Sequence, residues 1–475
     1  MGTLGMTHSV CPECRSIVPA KVVTQGDEVH FVKFCAEHGE RRSFVRHGVK
    51  AYLDAHRYVK PAWQPREFAG DASRPCPEGC GLCTRHEQHL CMPIIEITSR
   101  CNLSCPVCIA SAGKPHDMTL DEFRRVLDAL IRAERQVDIL NLSGGEPLVH
   151  PQVLAFLDEA LSRPEVIRLS ISTNGRELLR RPELLKELNT RNVCVSLQCD
   201  GFEDRAYEVL RGEPLAREKQ RILDLLEAEG ATTSLTLTLA GGVNEDQVRP
   251  MLDYHFSHAH VVSLMIQPVA FAGRGRTLLG RAKRLTIPDV IELLASSGHP
   301  AVRREDFVPL PCSHPLCFSL AYYLLLEGGR TLSLSRLIDA PTLLASVTNR
   351  TIFGLDEEEF ERLRGFVYEL WSGPAACVPD TEAVLRVLRE ILRELSDSCC
   401  LEIDRGSRGP KRGGCFDPRK VFQVAERRVK SVFIHAFQDA DTFDLARVRR
   451  CCNAYPQADG SFLPACVYNV LRRQG

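Results

Sequence analysis

Residues 101–108 read Cys101-Asn102-Leu103-Ser104-Cys105-Pro106-Val107-Cys108, and this stretch decides the fold. Three cysteines at C-x3-C-x2-C spacing can place three thiolates on three corners of a cubane iron–sulfur cluster. No fourth cysteine follows closely, which leaves one iron open to an exchangeable ligand. The stretch just before, Pro93-Ile94-Ile95-Glu96-Ile97-Thr98, reads as a buried strand. The loop therefore hangs from the C-terminal end of a strand, where parallel α/β folds place their chemistry. The competing reading is a structural zinc or a plain buried cysteine cluster. It loses ground because the preceding strand and the downstream motifs agree with the cluster.

Working downstream, helix and strand periodicities alternate. Strands are predicted at 94–98, 137–142, 166–171, 193–197, 234–239 and 261–267. Helices are predicted at 119–135, 153–161, 178–188, 217–229 and 245–258. Thr119 and Glu122 form a capping box at the first helix. Six such units joined by right-handed crossovers predict an α/β fold, a partial (β/α)6 TIM-like barrel.

Polar motifs recur at the same end of successive strands. Ser143-Gly144-Gly145-Glu146-Pro147 ends the second strand; its glycines allow close backbone approach to a ligand, and its carboxylate can hold an ammonium. Ser172, Thr173 and Asn174 end the third strand, Ser196, Gln198 and Asp200 the fourth, and Gln267 the sixth. Cys194, inside the fourth strand, reads as core packing. Each motif alone is compatible with an ordinary turn; their shared position is what carries weight.

Further cysteine sets flank the barrel. In residues 1–60, Cys11-Pro12-Glu13-Cys14 and Cys35-Ala36-Glu37-His38 sit at the ends of strand-like stretches 17–23 and 29–34. That pattern suits one tetrahedral metal ion, iron or zinc, with His38 either the fourth ligand or a neighbour. Residues 61–92 open as a Pro-rich linker and then present Cys76, Cys80, Cys83 and Cys91, the ligands expected for a second cubane, with His86 and His89 in the same stretch. The barrel occupies 93–300. Residues 301–475 carry the knuckle Cys312-Ser313-His314-Pro315-Leu316-Cys317 and a tail with Cys451, Cys452 and Cys466. A third cubane is expected on Cys312, Cys317, Cys452 and Cys466, with Cys399, Cys400 and Cys415 as rival ligands. The apolar run 316–326 reads as a helix, 431–437 as a strand, 340–400 (with 355–366) as charged helix, and 406–414 as a basic loop.

Composition narrows the class. The 475 residues predict two or three domains, and 44% hydrophobic with 25% charged residues describes a globular chain. A net charge of −1 gives no bulk attraction to nucleic acid or anionic membrane and argues against a nucleic-acid binder. The 21 cysteines, grouped in pairs and triplets, argue for metal ligation in a reducing compartment rather than a disulfide framework. No leader or spanning segment is expected, so the location predicted is cytoplasmic, with peripheral contact at the inner membrane face as an option.

The CNLSCPVC loop, the GGEP stretch and their strand-end partners resemble the radical S-adenosylmethionine (SAM) superfamily. The resemblance implies that Cys101, Cys105 and Cys108 hold a [4Fe-4S] cluster whose open iron is chelated by SAM. It implies one-electron cleavage to a 5′-deoxyadenosyl radical, with electrons from a ferredoxin or flavodoxin. It also implies that Ser143, Gly144, Gly145, Glu146 and Pro147 approach the SAM amino group. Ser172, Thr173, Asn174, Ser196, Gln198, Asp200 and Gln267 are then ribose and carboxylate contacts. The order of parts over nearly the whole chain is similar to the tetraether lipid synthase group. It runs from the N-terminal knuckles through CPEGCGLC, the radical loop and PCSHPLC to the IHAFQDADTFDLARVRRCC tail. That group implies three [4Fe-4S] clusters, one mononuclear iron and an sp3–sp3 bond formed between lipid hydrocarbon chains held in an apolar tunnel. The tail departs from the pattern at CCNAYPQADGS, which bears on substrate. Alternatives are methylation of a pterin, described for members of the same group, and peptide maturation.

Overall fold

The computed structural model describes residues 2–110, 116–347, 365, 367, 368, 370–372, 380–398 and 417–473. Stretch 355–366 is described only at residue 365. Loop 406–414 and Cys399, Cys400 and Cys415 lie outside the described residues.

The chain opens with a four-stranded antiparallel meander: β1 (Thr3–Val10), β2 (Ile17–Gln25), β3 (Glu28–Cys35) and β4 (Gly39–His47), in that order across the sheet. Its two inner strands lie where the sequence predicts them. The meander buries Ala20, Val22, Val29, Phe31 and Val45 on one side. The buried Lys33 fastens it to the C-terminal segment, its Nζ donating to the carbonyls of Ala440 and Asp441, both at 2.7 Å.

Six strands then follow as predicted: β5 (Ile94–Thr98), β6 (Val137–Gly144), β7 (Val166–Thr173), β8 (Cys194–Gln198), β9 (Thr233–Leu239) and β10 (Val261–Pro268). Each pairs in parallel with the next. The helix Leu120–Ala133 shows how local sequence fixes these units. Thr119 and Glu122 close the capping box, and Phe123, Val126, Leu127 and Leu130 face the core at helical spacing.

The sheet does not stop at β10. Two later strands extend it: β12 (Phe318–Leu325) and β14 (Val429–His435). β14 pairs in parallel with β10, placing Ser263 against Ser431 and Ile266 against Ile434. β12 then pairs antiparallel with β14, and the short β11 (Val308–Pro309) and β13 (Thr331–Ser333) flank β12. Among the described residues the parallel set therefore has seven strands, not six. The apolar run 316–326 is a strand rather than the predicted helix. Seven of the eight residues of β12 are buried, so both faces are covered and the period-2 alternation that marks a strand is absent. The charged stretch near 390 is the helix Thr381–Ser398, as expected. Among the described residues no helix is long and apolar enough to cross a membrane.

Candidate active site and metal centres

Alternation along the parallel strands builds the site. Residues two apart share a face, so Ser170 and Ser172 of β7, Cys194, Ser196 and Gln198 of β8, Ser234, Thr236 and Thr238 of β9, and Ser263 and Gln267 of β10 all line one cavity of about 740 Å³. Cys194 thus faces the lumen instead of packing in the core, because it shares the register of Ser196 and Gln198. Cys101, Cys105 and Cys108 border the same cavity.

The radical loop is braced from three sides. Asn174 Nδ2 donates to Asn102 Oδ1 (2.7 Å), and Asn102 Nδ2 donates to Glu177 (3.1 Å). Val107 N–H donates to the Leu210 carbonyl, and Arg274 N–H to the Cys108 carbonyl. The glycines at the end of β6, Gly144 and Gly145, serve this loop and not a ligand alone. A Cβ at Gly144 or Gly145 would collide with the carbonyl oxygens of Thr98 or Arg100, and Gly144 holds a φ of +137°. Partial burial pushes the Cys101 thiol up to about 11 despite the Leu103 N–H beside it. A bound cationic centre reverses that preference by displacing the proton. Three sulfurs on one braced loop, opening onto a cavity, fit a cubane with one iron left for a ligand.

Glu146 is buried and already engaged. Oε1 accepts from Thr173 Oγ1 (2.7 Å) and Leu148 N–H (3.1 Å), while Oε2 accepts from Asn174 N–H (2.7 Å). Burial raises its pKa against these bonds. A carboxylate offers about four lone-pair sites, so Oε2 keeps one to spare toward the cavity that Glu146 lines. Pro147 begins the next turn and, like Gly144, is not part of the cavity wall.

Asp200 stands behind the cavity wall instead of in it. It is fully buried, accepts Arg211 Nε (2.6 Å), Arg211 Nη2 (2.9 Å), Gln198 Nε2 (2.7 Å) and Thr238 N–H (3.0 Å), and is absent from the cavity lining. Its role is to aim Arg211, which does line the cavity. Burial works against the Arg211 charge, and Asp200 and Cys105 more than restore it. Arg211 carried no sequence signal, because its partner sits eleven positions away across a turn. Gln198 keeps Oε1 buried with no hydrogen-bond partner. Ser172 pairs with Asn141 (3.0 Å) and Ser196 with Thr236 (3.3 Å).

The remaining cysteines regroup. Cys11, Cys14, Cys35 and His38 bring one ligand atom each within 4.8 Å of one another. His38 Nδ1 faces Cys35 Sγ (3.5 Å) and Cys11 Sγ (3.7 Å), and Cys14 and Cys35 sulfurs are 3.8 Å apart. Tetrahedral zinc or iron with about 2.3 Å metal–sulfur bonds needs edges of about 3.8 Å, so the donor set fits. Hydrogen bonding to Ser16 holds the Cys14 thiol down to about 6.

Cys91 leaves the set predicted for it. It joins Cys312 and Cys452, with all three sulfurs buried and within 4.8 Å. Pairing of the chain brings this about: both Cys91 and Met92 N–H donate to the Cys452 carbonyl. Cys76 and Cys80 stay together, the Cys76 thiol drawn down to about 7 by Cys80, with Cys83 and Cys451 acting on Cys80. Cys317 accepts Arg447 Nε at 3.2 Å, and Cys466 accepts Gln438 N–H at 3.3 Å. Such N–H···S contacts are how a protein tunes a cluster. Cys91 precedes β5 and Cys101 follows it, so the two thiol sets flank a strand about 16 Å long at about 3.3 Å per residue.

A profile of the radical SAM superfamily matches residues 95–255. One described as the HMPTM N-terminal zinc ribbon domain matches residues 3–47. The chain is 27% identical over 512 aligned positions to the 7,8-dihydro-6-hydroxymethylpterin dimethyltransferase of Methanocaldococcus jannaschii, covering 98% of this chain and 94% of that protein. It is 29% identical over 160 residues to the GTP 3′,8-cyclase of Alkaliphilus metalliredigens, covering 32% of this chain and 49% of the cyclase. Among solved structures, Streptococcus suis SuiB bound to S-adenosylmethionine aligns over 43% of this chain and 46% of its own, with TM-score 0.37 and 14% identity. These relatives do not show the similarity to the tetraether lipid synthase group. With its C-x3-C-x2-C loop after the first strand of the parallel sheet and the profile match that begins on that strand, residues 95–255 form a radical SAM superfamily domain.

Proposed function

We propose that this radical SAM enzyme methylates a pterin. Similarity over nearly its full length to a protein named as a pterin dimethyltransferase carries the reading. The lumen supports it. Hydroxyls and amides of Ser172, Ser196, Gln198, Thr236, Thr238 and Gln267 line the wall beside the radical loop, and they suit a flat, hydrogen-bonding heterocycle. An alkyl chain there would leave Gln198 Oε1, which is buried and has no partner, unsatisfied at about 1–3 kcal/mol.

When bound, SAM and a cubane on Cys101, Cys105 and Cys108 supply a radical able to abstract hydrogen from an unactivated C–H bond. The chain's own residues do the rest. Glu146 Oε2 offers an acceptor for an ammonium, and Asn102, held by Asn174 and Glu177, fixes the loop. Asp200 aims Arg211 at the cavity, where a fixed guanidinium can meet a carboxylate or phosphate. The wall keeps stray water from a reactive intermediate. The auxiliary thiol groups fit further metal centres, up to two cubanes and one mononuclear ion, and a ferredoxin or flavodoxin is the proposed electron source.

A second reading, carbon–carbon coupling of lipid chains, draws on one observation. The cavity lining also includes the rings of Phe318, Tyr322, Phe422 and Phe433. Burying CH₂ groups there is worth about 0.8 kcal/mol each. The test is anaerobic incubation with SAM, dithionite and either 7,8-dihydro-6-hydroxymethylpterin plus a one-carbon donor or ether-lipid vesicles. Methylated pterin by mass spectrometry is expected. Coupled lipid with no pterin product would overturn the first reading in favour of the second.

A further inference from the structure

We infer that Lys219 is a positioning residue of the SAM site: from behind the cavity wall its ammonium fixes Asn174, and through Asn174 both Glu146 and the radical loop. The inference rests on the reading of Glu146 as the acceptor for the SAM ammonium, and not on whether the substrate is a pterin or a lipid. Lys219 lies on the helix Ala216–Ala228, is 2% exposed and is not part of the cavity lining. Its Nζ donates to the Asn174 carbonyl at 2.6 Å, its one hydrogen-bond partner among the described residues.

Two supports of the site meet at Asn174. Its N–H donates to Glu146 Oε2 and its Nδ2 to Asn102 Oδ1, both at 2.7 Å. The peptide groups on either side of its Cα are therefore both tied, one to Glu146 and one to Lys219. That fixes the backbone from which the Asn174 side chain reaches the radical loop, as outer hydrogen bonds hold contact residues in place. The helix lies close against this turn. A Cβ at Gly175, which holds a φ of +83°, would meet the side chain of Ile222, one turn along from Lys219. Beside Lys219, Glu218 accepts Arg176 Nε at 2.8 Å, and Arg176 Nη1 donates to the Asn102 carbonyl at 3.3 Å. The charge acts along with the bond. Burial lowers the Lys219 pKa to about 8, while Cys199, Asp200 and Glu146 act against that shift. Burial raises the Glu146 pKa, and Lys219 joins the hydrogen bonds from Asn174, Thr173 and Leu148 in opposing the rise. Lys219 thus favours the ionised carboxylate, the form that attracts an ammonium.

The experiment uses the full chain, reconstituted anaerobically, as wild type, Lys219→Met, Lys219→Gln, Glu146→Gln and the double variant Lys219→Met/Glu146→Gln. Equilibrium dialysis gives dissociation constants for two probes. S-adenosylhomocysteine carries the amino-acid arm of SAM, and methylthioadenosine lacks it. Lys219→Met is expected to weaken S-adenosylhomocysteine about 10-fold and to leave methylthioadenosine unchanged. Glu146→Gln is expected to show the same selectivity, and in the double variant the two losses should not add, because both act on one contact. Should Lys219→Met not fold by circular dichroism, Lys219→Gln is read in the same way; if neither folds, the role is structural and the inference falls. Equal loss of both probes at position 219, or no loss of either, also overturns it. Unchanged S-adenosylhomocysteine binding in Glu146→Gln overturns the reading of Glu146 instead, and the inference with it.

Discussion

Two thiol triads in this molecule are gathered in opposite ways. Cys101, Cys105 and Cys108 lie on one loop of eight residues, braced by neighbours but complete within it. Cys91, Cys312 and Cys452 come from three distant segments that meet only when the tail pairs with the stretch before β5. The first triad is a motif and opens onto the cavity. The second is a product of the tertiary fold and is buried, with Cys452 alone of the three in the cavity lining. A local triad can be removed at the cost of chemistry alone, whereas a dispersed triad, once metallated, also cross-links the chain.

The largest effect separates them on activity. Changing Cys101, Cys105 and Cys108 together to Ala is expected to abolish SAM-derived 5′-deoxyadenosine under dithionite while circular dichroism stays native. Deoxyadenosine formation by that variant would remove the local triad from the chemistry. The next prediction reads stability. Cys312→Ser should lower unfolding free energy by roughly 3–5 kcal/mol, because a centre closing a loop from 91 to 312 constrains the unfolded chain. Cys105→Ser should change it far less, and equal losses in anaerobic urea melts would erase the contrast.

Asp200→Asn sharpens the point beside the local triad. It leaves the Arg211 guanidinium buried without its carboxylate, so about 3 kcal/mol of stability is expected to go, with SAM cleavage reduced as Arg211 loses its aim. A urea midpoint equal to wild type would show that Asp200 is not holding it. The smallest expected effect is Thr119→Ala. Removing the cap at Leu120–Ala133 should cost about 1 kcal/mol and leave metal content untouched at both triads, measured by thermal melt and iron assay.

Legibility in the sequence follows the same division. The radical loop, the capping box at Thr119 and the six strands from β5 to β10 are written in local spacing and alternation, and the structure has them where the sequence predicts. β12 escaped because burial on both faces removes the alternation that distinguishes strand from helix. The partnership of Cys91 with Cys312 and Cys452 escaped because short spacing ties Cys91 to Cys83 and says nothing of a strand pairing from beyond residue 300. Asp200 was visible as a strand-end carboxylate, but its burial behind Arg211 was not, since nothing between the two encodes the turn that joins them. Glu146 stood at the right place, yet two of the three hydrogen bonds it accepts come from the end of a different strand.

The insertion of β14 between β10 and β12 has a consequence for how the protein is made. A strand from near the end of the chain occupies the middle of the sheet, so β10 keeps an unpaired edge while residues 269–428 are translated. At about 5–20 residues per second that is roughly 10–30 s, long enough for an open parallel edge to capture another nascent chain. Truncations that end before residue 429 should therefore aggregate rather than yield a smaller working barrel. Overexpression at lower temperature, or with a holdase chaperone that shields strand edges, should raise the yield of the intact protein.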